Sequence, residues 1–297
     1  MHSYTTLISA AELASLQQKA AATLVVLDCR AALSDPLAGQ RQFDEGHVEG
    51  AQHADLERHL ASVSADGSGG RHPLPDAAGL AEQCGRWGIT DDTQVVTYDA
   101  QGGAFAARAW WLLRWLGHAR VAVLDGGLAH WSGPLTSTNS SPSAQTFNVR
   151  PSLTQQVTAD EVVQLSNSAP PGQAAPTPLL DARSTERFEA RQEPIDPIAG
   201  HIPGARCLPH TGNLDETGKF LSPAALAVRF EGLATADTVC YCGSGVTAAH
   251  NVLAIRHAGL TEPRLYPGSW SDWIRDPGRP IEPKPGPKHR PKSGDAS

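Results

Sequence analysis

The sequence predicts an α/β protein made of two tandem copies of one domain, each a central, mainly parallel sheet flanked by helices. Three observations carry that expectation. Short motifs recur in the same order at a nearly constant separation, apolar β-rich runs alternate with helical patterns, and a Ser/Pro/Gly-rich stretch divides the copies. Recurrence at a fixed period marks a duplicated unit, and strands alternating with helices imply a parallel sheet covered on both faces.

Taken in order, T-L-V-V-L-D28-C-R reads as a strand ending in an acid and an arginine, and T-P-L-L-D181-A-R repeats it 153 positions later. The box G46-H-V-E-G-A51 returns as G200-H-I-P-G-A205, 154 positions on. The strand Q-V-V-T-Y98-D99, followed by a glycine loop and the helix A-F-A-A-R-A-W-W-L-L-R-W-L, matches T-V-C-Y241-C242 with its loop and the helix T-A-A-H-N-V-L-A-I, offset by 143. The ending L-D-G-G-L-A-H-W131 matches L-Y-P-G-S-W-S-D-W273, offset by 142. Four ordered matches place the copies at residues 1–140 and 157–280, joined by a linker at 141–156 in a region without apolar periodicity. S-N-S-A-P-P-G-Q-A-A-P-T-P, residues 166–178, reads as a surface loop inside the second copy, and 281–297 as a flexible tail rich in Pro, Lys and Arg.

Composition narrows the function. A formal charge of −7 with interspersed signs leaves no basic face for nucleic acid. No stretch approaches about 18 uninterrupted apolar residues and the amino terminus lacks a basic, then apolar, export signal, so no membrane partner is expected. Five scattered cysteines (29, 84, 207, 240 and 242) suggest free thiols in a reducing compartment, by default the cytoplasm.

The chemistry concentrates in the loop Cys242-Gly243-Ser244-Gly245-Val246-Thr247. It joins a strand end to a helix start, where parallel sheets bind ligands. Two glycines at alternate positions let the backbone curl its N–H groups inward into an anion nest, and the helix behind adds positive potential. That environment favours a thiolate at Cys242, or an anion bonded to it. A buried strand cysteine beside an ordinary turn is the alternative. Asp99 at the matching place weakens it, because the position accepts a polar side chain and one copy looks armed where the other is not. Cys240, on the same strand, is expected to pack. C-Y-C lacks a second Cys/His pair at ligand spacing, so no metal is expected. Cysteine phosphatases clamp phosphate with an arginine six positions after the nucleophile; position 248 here is alanine. The cradle suits one extra sulfur atom instead.

The duplicated layout, the G-H-I-P-G-A box, the loop C-G-S-G-V-T-A and the ending Y-P-G-S-W-S-D-W resemble the two-domain sulfurtransferases of the rhodanese superfamily over nearly the whole chain. Within it the loop is similar to that of 3-mercaptopyruvate-using members, whereas thiosulfate-preferring ones tend to carry basic residues after the cysteine. The resemblance implies two rhodanese-like domains, the first inactive, and sulfur transfer from 3-mercaptopyruvate through a Cys242 persulfide to a thiol or cyanide, releasing pyruvate. The donor and acceptor are small molecules, a thioredoxin-like protein is a further acceptor, and no cofactor is needed. It implies that Ser244 lies beside the donor, that His72 and Asp55 form a hydrogen-bonded set with it, and that Arg187 grips the donor carboxylate. Gly243, Gly245, Val246 and Thr247 line the binding loop. Members of the better-known type carry a second arginine just before the box; here the segment reads E193-P-I-D-P-I-A-G-H, leaving Arg191 as the nearby candidate. Thiosulfate:cyanide sulfur transfer is the alternative reaction. A non-catalytic rhodanese-like binding module is a third reading, which the loop cysteine argues against.

Overall fold

Buried, mainly apolar runs form the centres of two parallel sheets in the computed structural model, which describes residues 3–62, 64, 67–170 and 172–283. The first half contains β1 (Leu7–Ile8), α1 (Ala10–Ala20), β2 (Leu24–Asp28), α2 (Ala38–Glu45), β3 (His47–Val48), β4 (Gln52–His53), α3 (Ala77–Arg86), β5 (Gln94–Tyr98), α4 (Ala106–Trp115), β6 (Val121–Leu124) and β7 (Leu135–Thr136). Its main sheet runs β1-β6-β5-β2-β4, all parallel, with Val25 opposite Val95 and Val95 opposite Val121; β3 and β7 pair separately and antiparallel.

The second half contains α5 (Ala159–Asn167), β8 (Leu179–Asp181), α6 (Thr185–Phe188), β9 (Arg206–Cys207), α7 (Pro223–Arg229), β10 (Val239–Tyr241), α8 (Thr247–His257), β11 (Arg264–Leu265) and α9 (Ser269–Trp273). Its sheet runs β11-β10-β8-β9, again all parallel. At the edge where the first sheet adds β1, the second has a single parallel bridge from Gln156 to Leu265. Both sheets are thus laid out as one duplicated α/β unit.

The repeated motifs prove to be the frame of each unit. Asp28 pairs with Arg30 at 2.6 Å and accepts from the Tyr98 hydroxyl at 2.7 Å, while Arg30 also donates to the Gly46 carbonyl at 2.7 Å. Asp181 and Arg183 pair at 2.7 Å and Arg183 donates to Gly200 O at 2.7 Å. Val48 N and Ile202 N donate to the Tyr98 and Tyr241 hydroxyls. Each box histidine, His47 and His201, stacks on a phenylalanine with ring centroids 3.7 Å apart. The D-x-R strands and G-H boxes are buried polar clasps, fully paired as burial demands.

Helices α4 and α8 meet across the boundary between the halves. Both carry apolar residues on all sides, which suits helices buried on every face, and every residue from Ala106 to Arg114 is buried. One continuous apolar cluster includes Trp110 and Trp111 from the first half and Val252, Leu253 and Ile255 from the second. Each fully buried tryptophan removes about 150–250 Å² from water, roughly 4–6 kcal/mol of transfer free energy at 25 cal/mol per Å². The seam between the halves is therefore core.

Residues 141–156 run along the first half, tacked by Gln145 N to Gly85 O and Arg150 N to Leu116 O. At the far end the first two residues of the expected tail pack against the second half. Ile281 joins the core of the second half, and Glu282 pairs antiparallel with His201. The rest of that tail, 284–297, lies outside the described residues. All five cysteines are unpaired, and among the described residues no helix is long and apolar enough to cross a membrane.

Candidate active site

Strand β10 delivers Cys242 to the carboxyl edge of its sheet, and the loop then turns directly into α8. Cys242 is 2% exposed. Gly245 makes the turn: it has φ +75°, and a methyl added to it would meet the Pro267 carbonyl at 2.3 Å. Its N–H donates to Cys242 Sγ at 3.1 Å, so the loop already directs a backbone donor at the sulfur. Val246 is buried as the residue preceding α8, and Thr247 opens the helix, aiming its positive end at the loop.

The loop is braced by the Y-P-G-S-W turn. Cys242 N donates to Ser269 Oγ at 3.0 Å, and the N–H groups of Trp270 and Ser271 donate to the carbonyls of Cys242 and Gly243. Ser269 holds a left-handed φ of 54°, a conformation that costs a non-glycine residue roughly 1–3 kcal/mol. Its first-half counterpart is Gly127, φ +58°. The armed copy carries the strained serine where its hydroxyl meets the cysteine's N–H.

Above the loop lies a strap from the first half. His72 Nδ1 is 2.7 Å from Ser244 Oγ, and His72 Nε2 is 3.0 Å from Glu57 Oε1. Burial first, then the charges of Arg71 and Arg108, push His72 down to about 3, so the ring is neutral near pH 7. A neutral ring has one N–H, and the Glu57 carboxylate only accepts, so Nε2–H points to Glu57 and the Ser244 O–H donates to Nδ1. Burial, with the Asp55 charge next, raises the Glu57 carboxyl above its ordinary value.

Two guanidiniums flank the same spot. A methyl built on Gly243 would lie 3.1 Å from Arg71 Nη2 and 3.4 Å from both terminal nitrogens of Arg187. Asp196 bridges them, accepting from Arg71 Nη1 at 2.5 Å and from Arg187 Nη2 at 2.7 Å, while Glu193 receives Arg187 Nε at 3.0 Å on both oxygens. Planar forks held this way are prepared for a carboxylate.

Of the residues singled out from the sequence, Cys242, Gly243, Ser244, Gly245, His72 and Arg187 converge. Asp55 does not reach His72: its carboxylate accepts from the N–H groups of Glu57 and Arg58, capping the turn that presents Glu57. Arg191 does not reach the loop either; its side chain is 56% exposed and pairs with Glu189 and Glu186. Glu57 and Arg71 take those two places. Arg71 was signalled by its position next to His72 in G-G-R-H, and Glu57 by standing two residues past Asp55. The E-P-I-D segment before the box supplies the acids that fix the two arginines.

The first half repeats the loop without a thiol. Asp99 Oδ1 accepts from Gln101 N at 2.8 Å and Gly103 N at 2.9 Å, and Oδ2 from Phe105 N at 2.8 Å and Ala106 N at 2.9 Å. The nest is thus a binder of anions, seen here filled by a built-in carboxylate. Cys240, fully buried, has its thiol pushed well up by burial, as a packing residue should.

The rhodanese-like domain family matches residues 9–134 and again 158–276. A probable 3-mercaptopyruvate sulfurtransferase from Pseudomonas aeruginosa is 48% identical over 284 residues, spanning 92% of this chain and 99% of that protein. A putative thiosulfate sulfurtransferase from Mycobacterium tuberculosis is 40% identical over 282 residues, spanning 93% and 96%. Among solved structures, 3-mercaptopyruvate sulfurtransferase from Leishmania major superposes with a TM-score of 0.77 at 32% identity, covering 92% of this chain and 76% of that one. The chain belongs to the rhodanese-like family, as two copies of its domain in tandem, only the second of which has a cysteine in the loop.

Proposed function

We propose that this chain is a sulfurtransferase that takes sulfur from 3-mercaptopyruvate onto Cys242 and passes it to a thiol or to cyanide. The observation that carries the reading is the convergence on one loop of a thiol facing a backbone donor, a Ser244–His72–Glu57 relay, and two guanidiniums poised for a carboxylate. The similarity to a probable 3-mercaptopyruvate sulfurtransferase supports it.

The donor's carboxylate lies between Arg71 and Arg187, placing its sulfur over Cys242. The Cys242 thiolate attacks that sulfur, the S–S bond forms, the donor's C–S bond breaks, and the electron pair leaves on carbon as the enolate of pyruvate. Ser244 takes the donor's thiol proton as it hands its own to His72 Nδ1, and the proton returns by way of Ser244 to the enolate, giving pyruvate. What stays is a Cys242 persulfide anion in the nest. An acceptor thiolate or cyanide then attacks the outer sulfur, the S–S bond breaks, and the Cys242 thiolate returns in a ping-pong cycle. Five unpaired cysteines fit a reducing compartment such as the cytoplasm, where a small thiol or a thioredoxin-like protein serves as acceptor.

Intact mass after mixing with 3-mercaptopyruvate is expected to rise by about 32 Da, one sulfur atom, and Cys242→Ser to abolish the rise. No adduct on the wild type would overturn the reading. Thiosulfate is the second reading, favoured by one feature: two cations above Gly243 also suit a dianion. Side-by-side turnover with the two donors decides between them.

A further inference from the structure

Arg108 lies in the middle of α4, in the first half, and is 0% exposed. Its Nε donates to Leu60 O at 3.2 Å, Nη1 to Gly245 O at 3.3 Å, and Nη2 to His72 O at 3.2 Å and Pro73 O at 3.4 Å. Every one of those partners is a neutral carbonyl, and none of the ion pairs among the described residues includes Arg108. A buried guanidinium without a carboxylate is costly unless another anion compensates it.

The duplication shows what is special here. His250 stands 142 positions after Arg108, the offset that relates Trp131 to Trp273. The contact is reciprocal: Arg108 reaches from α4 to the Gly245 carbonyl of the second loop, and His250 Nε2 reaches from α8 to the Gly102 carbonyl of the first loop at 3.0 Å. His250 is pushed down to about 3 by burial and by His210, and is neutral. The loop facing the neutral side chain already holds a carboxylate met by four N–H groups. The loop facing the cation holds the thiol.

We propose that Arg108 is the positioning counter-cation of the Cys242 thiolate and of the persulfide anion that succeeds it, supplied across the seam by the half without a nucleophile. The proposal rests on Cys242 being the sulfur carrier. Burial lowers Arg108 to about 10, and a negative charge at Cys242 would oppose that lowering. The other titratable groups facing the thiol's surroundings are Arg71 and His72 from the strap, Arg187 beside Gly243, and Cys240 on the same strand. Arg71 and Arg187 have acids of their own; Arg108 has none. Its donation to Gly245 O also ties the cation to the residue whose N–H meets the sulfur.

The test is the pH dependence of Cys242 alkylation by iodoacetamide, read by intact mass with Cys242→Ser as the blank, in wild type, Arg108→Gln and Arg108→Lys. Gln keeps hydrogen-bond donors and loses the charge; Lys keeps the charge and loses the fork. The midpoint is expected to rise by about one pH unit or more in Arg108→Gln, a tenfold loss of thiolate at a given pH, and to stay within about half a unit in Arg108→Lys. An unchanged Gln variant, or equal displacement of both, overturns the proposal. Should neither variant fold, the stabilities of wild type and Cys242→Ser are compared against pH. A thiolate favoured by the fold makes the wild type gain on the variant as pH rises toward the unfolded thiol's value near about 8.5; parallel curves overturn the proposal. Alkylation needs no sulfur donor, so this outcome is independent of whether 3-mercaptopyruvate is the substrate.

Discussion

Asp99 and Cys242 end equivalent strands of the two sheets, and the four N–H groups that close on the Asp99 carboxylate display the anion-binding capacity of the loop type that surrounds Cys242. The two copies differ in what fills the nest. In one it is a structural carboxylate, and in the other the thiol proposed to carry sulfur.

Asp99→Ala is expected to destabilise the chain, because four N–H groups, three of them buried, lose a charged acceptor. Hydrogen bonds to charged groups contribute about 1.5–3 kcal/mol each, so a loss of roughly 3 kcal/mol or more is expected in urea unfolding. Sulfur uptake per folded molecule should be retained; a variant as stable as wild type would contradict the role.

Arg71→Ala and Arg187→Ala are each expected to raise KM for 3-mercaptopyruvate by about 10- to 100-fold, the effect of one charge-assisted contact. Arg191→Ala should stay within about twofold. Steady-state kinetics on the three variants check the placement, and an Arg191 effect equal to that of Arg71 would refute it.

Gly70→Ala should misplace the strap. At φ +84° an added methyl would lie 2.5 Å from the Gly268 carbonyl and 2.6 Å from Ser271 Oγ, pushing the strap and its His72 off the catalytic half. Transfer from 3-mercaptopyruvate is expected to fall by about 10²-fold or more, the scale of a lost proton relay, while iodoacetamide still reaches Cys242. Equal losses of both would point to unfolding instead.

Stability should fall with acid across a defined window. His72 and His250 are pushed down to about 3 and His59 to about 4, each chiefly by burial. Their folded values lie below the unfolded value near 6.5. The unfolded chain therefore binds more protons between about pH 6.5 and 4, and stability present above 6.5 is lost as pH falls, by up to about 1.4 kcal/mol per pH unit for each ring. Chemical denaturation between pH 7 and about 4.5 measures the slope, and His72→Gln should reduce it.

The fold was largely legible because its motifs are local. A strand ending in D-x-R and a G-H box 18 or 19 residues on announce themselves by composition and by repetition, and the same repetition exposed Asp99 as the unarmed counterpart of Cys242. The site was legible only where it is contiguous. Cys242 to Thr247 follow one another in sequence, whereas Glu57, Arg71, Arg108 and Asp196 come from separate segments brought together by tertiary packing. Asp55 illustrates the limit: it lies in the right turn, but the chain's curvature gives the outward position to Glu57. Arg108 sits among tryptophans and leucines in an apolar helix, where nothing in the order of residues says which way it reaches. Ser269 escaped for another reason, since its left-handed backbone is invisible until the turn is built.

The apolar seam of α4 against α8 decides how sulfur can enter and leave. Halves that share a core cannot swing apart like jaws around each substrate, and the nest is a fixed well with the first half as part of its wall. On the proposed reading, turnover is then governed by what fits down the well: a three-carbon donor enters whole, and an acceptor, whether cyanide or a thiol borne by something larger, has to reach the sulfur at its floor. Severing the chain between its halves would leave a cysteine without a wall.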